Sequence, residues 1–372
     1  MAFKSRDTLP ATAFTLPARY YADPALFERE RERFLRRLWV CIGRLEDIPD
    51  RGRYAVRDIA GDSVIVVNAG AGAVRAFYNV CRHRGTQLCD PVQPDGQFAG
   101  AIQCPYHAWT YDYDGRLIGA PHMDGSPGFR RDEFPLNAVA AGVWDGFVFV
   151  RLSPDGVTLR EHLGGLAEKF APWDMATLVR AHRIVYDVRA NWKLIVQNFN
   201  ECLHCPTLHP QLNKLSHYLG GENEPLRATY MGGRMDLNDG IETMSMDGTR
   251  RRDLLPGLRP DDCRRVYYYS VFPNFLISPH PDYVMAHTLW PEAPDRTRIV
   301  CEWHVHPAER AKPGFDLSDV TEFWDLTNRQ DWHVCERAQA GISSRGYQPG
   351  PYSNREDLLY AFDRFIVDSL DD

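Results

Sequence analysis

Three absences narrow the function of this 372-residue chain before any motif is considered. No uninterrupted apolar run approaches the roughly 18 residues of a membrane-spanning helix, and the N-terminal segment lacks the basic-then-apolar pattern of a secretory signal. Basic residues are outnumbered, with 43 Lys and Arg against 50 Asp and Glu, giving a net charge of −7. A nucleic-acid partner would need a basic face. We therefore expect a cytoplasmic protein that binds neither a membrane nor a nucleic acid.

Two further absences concern redox chemistry. The chain has no G-x-G-x-x-G nucleotide fingerprint after a strand and no Cys cluster of the plant-type ferredoxin spacing. Its nine cysteines are an odd number scattered through the sequence, which fits a reducing compartment better than a disulfide framework. We expect five of them to be unpaired and two more to be small packing residues: Cys41, Cys89, Cys263, Cys301 and Cys335, and then Cys202 and Cys205.

What the sequence does contain is two Cys-His pairs. Cys81 and His83 form the first pair, and Cys104 and His107 form the second after a gap of 20 residues that contains two prolines and predicts a surface loop. Two thiolates and two imidazoles are the ligands of a Rieske [2Fe-2S] cluster. In structural zinc sites the ligands are usually spaced as a Cys pair and a His pair, C-x2-4-C and H-x3-5-H. Here each Cys is instead close in sequence to a His. The pattern favours an electron-transfer cluster, with zinc as the alternative.

A second constellation lies further along the chain. Glu201 and His204 would fall one turn apart on a predicted helix from 191 to 205, and the prolines that follow would let His209 fold back beside His204. Two imidazoles and one carboxylate with open positions form the facial triad of non-haem Fe(II) oxygenases. Asp331 is the candidate third ligand, because it falls on the apolar stripe of a predicted helix from 317 to 340, where a carboxylate is costly unless it is paired.

Two other clusters could compete for a metal. Glu302, His304 and His306 alternate along a predicted strand and share one face. His280 and Asp282 flank a proline and give a short H-x-D match, although this segment is more typical of a turn. On the long helix, Asp325 is a weaker rival to Asp331, because it projects with the charged residues. A buried Asp331 satisfied by hydrogen bonds alone also stays open at this point.

With both constellations in one chain, the sequence resembles the catalytic α subunit of the Rieske non-haem iron oxygenases, the aromatic-ring-hydroxylating dioxygenase group. The resemblance runs from about residue 36 to 365, over the strings CRHRG, CPYHAW and NFNECLHCPTLHP. It implies that the cluster is held by Cys81, His83, Cys104 and His107, and the mononuclear iron by His204, His209 and Asp331. Glu201 stands where the family usually places an Asp that connects the two metal sites. In this glutamate and in the later string GPYSNRE, the sequence resembles the family members that oxidise quaternary amines, such as glycine betaine monooxygenases.

The resemblance and the strand pattern together predict an α+β protein. Short alternating segments at 54–58, 63–68 and 74–78 predict successive hairpins, and strands followed by one long helix predict a layered second region. We expect an N-terminal helical segment at 1–39, an all-β Rieske domain at 40–155, and a helix-grip catalytic domain with an antiparallel sheet at 156–372. The irregular stretch 215–265 is predicted to be either a lid or a subunit contact.

The implied function is that of a terminal oxygenase component, which uses O2 and electrons from a separate NAD(P)H-dependent reductase to hydroxylate a small organic substrate. The Glu at 201 favours N-demethylation of a methylamine over ring hydroxylation or dihydroxylation, and an electron-transfer or ligand-binding protein without mononuclear iron is the non-enzyme alternative. The family implies a homotrimer. The sequence leaves open the substrate, the regiochemistry, mono- versus dioxygenation and the reductase. The predicted cavity-lining residues are Tyr267, Tyr269, Phe275, Met285, His287 and Trp303.

Overall fold

A computed structural model describes residues 9–371 of the chain. They form two compact units. The smaller unit spans Phe34–Leu159, and the larger unit combines the chain up to Arg33 with the chain from Arg160 onward. The predicted N-terminal helical segment thus falls mainly with the larger unit. Among the described residues, no helix is both long enough and apolar enough to cross a membrane.

The smaller unit is an all-β structure built on a seven-stranded antiparallel sheet in the order β1-β10-β9-β4-β3-β2-β5. A three-stranded sheet, β6-β7-β8, carries the second Cys-His pair at its first turn. The strands are β1 (Val40–Arg44), β2 (Arg53–Ile59), β3 (Asp62–Gly70), β4 (Ala73–Tyr78), β5 (Asp95–Gln97), β6 (Ile102–Gln103), β7 (Thr110–Tyr111), β8 (Leu117–Gly119), β9 (Ala138–Trp144) and β10 (Phe147–Arg151).

The hairpins among β2, β3 and β4 fall where the sequence predicts them, and β9 and β10 form another with the same kind of turn. β2 and β3 are joined by Ala60-Gly61, and β9 and β10 by Asp145-Gly146, with positive φ at all four residues. Two consecutive residues in this conformation make the turn whose twist matches that of the flanking strands. The short turns fix the register of the sheet, which supports the core beneath the two Cys-His loops. That core includes Phe77, Trp109 and Tyr111.

The larger unit contains a second seven-stranded antiparallel sheet, in the order β11-β17-β16-β15-β14-β13-β12. Its longest helix, α9, packs against β11 and against α5, and α5 also packs against β16. This is the predicted arrangement of helices on an antiparallel sheet. The strands are β11 (Val179–Val188), β12 (Gly221–Glu224), β13 (Tyr230–Asp236), β14 (Arg265–Val271), β15 (Phe275–Pro279), β16 (Val284–Ala293) and β17 (Arg296–Val305).

The helices are mostly short, apart from α9 and α10. Their bounds are α1 (Arg19–Ala22), α2 (Pro24–Glu30), α3 (Leu159–Leu163), α4 (Leu166–Phe170), α5 (Trp192–Phe199), α6 (Cys205–Leu208), α7 (Pro210–Leu215), α8 (Pro307–Arg310), α9 (Ser318–Ile342) and α10 (Asp357–Asp371). α9 matches the prediction for 317–340 to within two residues. Just before α10, Glu356 accepts a hydrogen bond from the amide of Ser353 (2.8 Å), which is one of the two bonds of a capping box.

The predicted helix from 191 to 205 is too long. α5 ends at Phe199, and the amide group of Asn200 donates to the carbonyl of Val196 (2.7 Å) and to the hydroxyl of Ser270 (2.6 Å). These bonds hold Asn200 at the helix end, because its side chain offers the backbone an alternative to further helical hydrogen bonds. Glu201 and His204 therefore lie in a turn between α5 and α6, and not on a helix face.

The stretch 215–265 is more regular than its composition indicates. Strands β12 and β13 lie inside it and extend the main sheet at one edge. The long irregular part, from 237 to 261, is held by Arg252. Its guanidinium donates to Asp319 at the start of α9 (2.9 and 3.0 Å) and to Asp282 (2.9 Å). All three side chains are buried. This segment is therefore tied to α9 by a buried ion-pair network.

Candidate active site and metal centres

Two short loops of the smaller unit carry the paired cysteines and histidines, and the loops are built alike. In the first, the amide of Gly85 donates to the carbonyl of Cys81 (3.0 Å); in the second, the amide of Ala108 donates to the carbonyl of Cys104 (3.1 Å). Gly85 and Ala108 have positive φ values of 75° and 57°. An alanine in this conformation costs about 1–2 kcal/mol, which other contacts must offset. The same sharp turn thus occurs four residues after each cysteine.

The thiols and the imidazoles of these loops have different surroundings. Cys81 and Cys104 are buried, whereas His83 is exposed and His107 half-buried. The two imidazole rings lie 4.8 Å apart, and Trp109 stacks on the ring of His83. A two-iron cluster takes a thiol pair on one iron and an imidazole pair on the other, so the donor set fits it.

In the larger unit, His204, His209 and Asp331 converge. Their ligand atoms all lie within 4.8 Å of one another. Nε2 of His209 is 2.7 Å from Oδ1 of Asp331, and Nε2 of His204 is 3.4 Å from the same oxygen. Two imidazoles and a carboxylate on one side of a metal, with positions left open, suit Fe(II). Among the described residues, no other group of three or more His, Cys, Asp or Glu side chains converges in this way.

The other nitrogen of each imidazole is also held. Nδ1 of His204 donates to Oε1 of Glu201, and Nδ1 of His209 donates to Oε1 of Gln330, both at 2.7 Å. Such partners fix the tautomer and orient the ring so that Nε2 is available to a metal. The contact of Glu201 with His204 was predicted, although from a helix. Gln330 was missed, and its position directly before Asp331 was the only signal for it.

The electrostatics of the triad favour a cation. Burial lowers the pKa of His204, but hydrogen bonds to Asp331 and Glu201 outweigh burial and raise it to about 10. Burial raises the pKa of Asp331, but hydrogen bonds from His204 and His209 bring it below its ordinary value. The two carboxylates thus stabilise positive charge between the imidazoles. A divalent metal ion would supply that charge in place of the imidazole protons.

Cys202 and Cys205 form a disulfide. The expectation that they are only packing residues is therefore wrong, since sequence spacing cannot distinguish two packed thiols from a bridge. The disulfide closes a four-residue loop that contains His204, and Sγ of Cys205 lies 3.9 Å from Nε2 of His204. It therefore restrains the turn that presents this imidazole. Within the described residues, the cysteines expected to be unpaired take part in no disulfide: Cys41, Cys89, Cys263, Cys301 and Cys335.

The competing clusters have other partners. Asp282 pairs with buried Arg252 at 2.9 Å, and Glu302 pairs with Arg183 at 2.6 Å. His280 donates from Nδ1 to the carbonyl of Ser278 (2.8 Å), in keeping with the predicted turn. None of these groups converges as the triad does within the described residues.

A cavity lies beside the triad, and its lining includes a connected series of aromatic rings. Ring contacts link the wall into one continuous surface: Trp332 to His287 (6.2 Å), His287 to Phe199 (6.1 Å), Phe199 to Tyr268 (5.9 Å) and Tyr268 to Trp324 (6.4 Å). All five side chains line the cavity together with Glu201 and the triad. The arrangement can hold a small molecule next to the metal ligands.

The predicted cavity residues divide into two groups. Met285 and His287 line the cavity; Tyr267, Tyr269, Phe275 and Trp303 do not. Tyr267 donates to Asp262 (2.6 Å), and the ring of Tyr269 packs on Phe170. Because successive side chains of a strand point to opposite faces, the prediction chose the wrong parity on β14. Tyr268, between the two predicted tyrosines, lines the cavity and was missed, as were Phe199, Trp324 and Trp332.

Comparison with known families bears on both regions. A family model for the Rieske [2Fe-2S] domain matches residues 38–135, and a model for the ring hydroxylating alpha subunit (catalytic domain) matches residues 175–372. The chain belongs to the Rieske oxygenase α subunits. This Rieske oxygenase accordingly carries a [2Fe-2S] cluster and a mononuclear iron, and the donor sets of its two units fit these two groups.

Sequence relatives extend over nearly the whole chain. The oxygenase subunit of glycine betaine monooxygenase from Pseudomonas aeruginosa is 32% identical over 94% of this chain and 86% of its own length. The oxygenase subunit of carnitine monooxygenase from Escherichia coli is 36% identical over 91% and 87%. The enzyme is therefore an oxidoreductase of this family, which excludes the non-enzyme alternative.

Solved structures show the same fold. A quaternary ammonium Rieske monooxygenase superimposes with a TM-score of 0.80 at 22% identity, over 98% of this chain and 99% of that one. Naphthalene 1,2-dioxygenase from Rhodococcus superimposes with a TM-score of 0.71 at 23% identity, over 95% and 94%. The predicted Rieske and helix-grip architecture is confirmed.

Proposed function

We propose that this Rieske oxygenase removes a methyl group, as formaldehyde, from a small quaternary or tertiary methylamine. The observation that carries the proposal is the aromatic wall beside the triad, formed by Phe199, Tyr268, Trp324 and Trp332. Aromatic faces attract a methylated ammonium by cation–π interaction, and the attraction is strongest when the cation is desolvated. The names of the glycine betaine and carnitine monooxygenase relatives support this substrate class.

In this proposal the ligands divide between the two units. Cys81, His83, Cys104 and His107 hold the cluster, and His204, His209 and Asp331 hold the iron. When bound, the iron offers open positions to O2 and the cluster supplies electrons. Glu201 and Gln330 keep the two imidazoles oriented. The aromatic wall positions the N-methyl group near the triad and excludes water from it.

The overall reaction balances as a monooxygenation. One O2, two electrons and two protons convert the N–CH3 group into N–CH2OH and one water. The C–N bond of the hydroxymethyl amine then breaks, releasing formaldehyde and the amine with one methyl group fewer. The chain carries no nicotinamide-binding fingerprint, so the two electrons come from a separate NAD(P)H-dependent reductase.

Assembly as a cytoplasmic homotrimer completes the proposal. A cluster in one subunit would serve the iron of its neighbour, with Glu201 accepting from His204 on one side and from a cluster imidazole of that neighbour on the other. A solved quaternary ammonium Rieske monooxygenase of this fold is described as using inter-subunit electron transfer. Glu201→Gln keeps an oxygen acceptor for His204 but removes the charge. We expect it to retain both metals and to lose product formation, and a fully active variant would contradict the bridging role.

The direct test is a single turnover of the anaerobically reduced holoenzyme. The protein is exposed to O2 with each of a panel of N-methylated amines, and formaldehyde is measured together with bound iron. Formaldehyde in proportion to the mononuclear iron supports the proposal. A protein with its full iron that yields no formaldehyde from any member of the panel would overturn it.

Hydroxylation of an aromatic ring is the second candidate, because the same wall can stack on a ring. The family model that matches the larger unit is described as ring hydroxylating. The same single-turnover experiment with aromatic rings distinguishes the two functions: hydroxylated rings without formaldehyde would favour this candidate.

A further inference from the structure

Two side chains of the cavity wall have a buried polar atom without a hydrogen-bond partner in the described chain. They are Tyr268, through its hydroxyl, and Trp332, through Nε1. More than nine in ten buried polar groups in folded proteins are paired, and an unpaired one is costly. Because both side chains line the cavity, a bound molecule is the partner that could pair them.

These atoms lie at different ends of the cavity. Trp324 and Asp331 are seven residues apart and lie on one face of α9, which separates them by about 10 Å along the helix axis. Trp332 directly follows Asp331 and its ring contacts His287 (6.2 Å), whereas the ring of Tyr268 contacts Trp324 (6.4 Å). Tyr268 therefore lies at the end away from the triad.

The charged side chains of the cavity wall are also distributed unevenly between the triad and the Tyr268 end. Its two carboxylates, Glu201 and Asp331, are both at the triad. Arg234 also lines the cavity, but its register partner on the neighbouring strand is Tyr267, so its side chain lies on the face opposite to that of Tyr268. Its charge is shared with Glu222 (3.1 Å) and Asp236 (2.5 Å). The wall thus favours a cation near the metal ligands, and both of its carboxylates lie away from Tyr268, whose hydroxyl can donate to an anionic group.

We propose that Tyr268 is a specificity-determining residue whose hydroxyl donates a hydrogen bond to a carboxylate of the substrate, at the end opposite the methylated nitrogen. This proposal rests on the proposed N-demethylation. A ligand of the same length without the carboxylate leaves the hydroxyl unpaired. Sites that hydrogen-bond a polar group of the substrate discriminate strongly against analogues lacking that group.

The test compares two amines of similar length. γ-Butyrobetaine carries a trimethylammonium and a carboxylate, and butyltrimethylammonium lacks the carboxylate. Anaerobic calorimetry with the holoenzyme should show that Tyr268→Phe weakens binding of γ-butyrobetaine about tenfold or more and leaves that of butyltrimethylammonium unchanged. In turnover, KM for γ-butyrobetaine should rise while kcat changes little.

Tyr267→Phe is the matched control. It removes a hydroxyl from the adjacent position of the same strand, one that is bonded to Asp262 outside the cavity, and should leave both affinities unchanged. Equal weakening of both amines by Tyr268→Phe, no weakening of either, or a wild-type enzyme that binds both alike would overturn the proposal. The two proposals can fail separately. If Tyr268→Phe abolishes the preference for the carboxylate but wild-type enzyme releases no formaldehyde, demethylation is overturned and the role of Tyr268 is upheld.

Discussion

The two metal-binding regions of this chain differ in how they are assembled. In the smaller unit each Cys-His pair comes from one short loop, and both loops make the same turn. In the larger unit His204 and His209 are local, but Asp331 is contributed by a helix more than a hundred residues further along. The first site depends on local loop geometry. The second depends on the packing of α9, and on Glu201 and Gln330 behind the imidazoles.

The largest effects are expected when one metal ligand is removed from each region, because each removal should eliminate only the metal of that region. Asp331→Ala should eliminate the mononuclear iron and product formation while leaving the visible absorption of the cluster intact. Cys104→Ala should eliminate the cluster and leave the mononuclear iron, because the donors belong to separate units. Iron and acid-labile sulfide contents, with electron paramagnetic resonance, measure both. Loss of both metals from a folded single variant would contradict the separation.

A smaller effect is expected from the residue behind His209. Gln330→Leu removes the acceptor for Nδ1 of His209 and should weaken binding of the mononuclear iron about 10–100-fold, without changing the cluster. Gln330→Glu keeps an oxygen acceptor and serves as the control. Competition with a chelator gives the affinity. Wild-type affinity in the Leu variant would mean that Gln330 does not orient the ligand.

The loop around His204 offers a milder perturbation. Cys202→Ser with Cys205→Ser removes the disulfide beside His204 and frees a four-residue loop. Because the disulfide restrains only a short loop, we expect extraction of the iron by a chelator to be about fivefold faster, with the cluster spectrum unchanged. Treating wild-type enzyme with a thiol reductant should reproduce the effect. Identical extraction rates in all three samples would show that the bridge does not restrain the site.

The least effect on the metals is expected at Asp363, which is buried in the larger unit and accepts from Gln197 (2.6 Å) and Tyr352 (2.7 Å). Burial raises its pKa to about 7, from 3.8. The folded state therefore favours the protonated carboxyl, and this contribution to stability is full below pH about 4 and lost as the pH rises through 7.

Asp363→Asn should remove this dependence, which amounts to at most about 1.4 kcal/mol per pH unit in the free energy of unfolding. Denaturant titrations of the whole protein between pH 4 and 8, with the unfolding of the larger unit as the signal, measure this dependence. A variant whose stability depends on pH as the wild type does would assign the dependence to other groups. Iron content should not change.

The same contrast explains what could be predicted from sequence. The Cys-His loops and the hairpins of the smaller unit follow from spacing and turn residues, which act locally. Asp331 could be predicted because a carboxylate on an apolar helix face needs a partner. Tyr268 and Gln330 could not, since one depends on the strand parity of β14 and the other on which neighbour of Asp331 faces His209. The Cys202–Cys205 bridge depends on a turn that replaces the predicted helix.

One chain holds two separate metal centres, and the iron and sulfide content of the protein tests this assignment directly. Anaerobically purified wild-type protein should contain three irons and two acid-labile sulfides per chain, with Asp331→Ala containing two irons and two sulfides. Two irons in the wild type, or three in the variant, would contradict the assignment of a mononuclear iron to His204, His209 and Asp331.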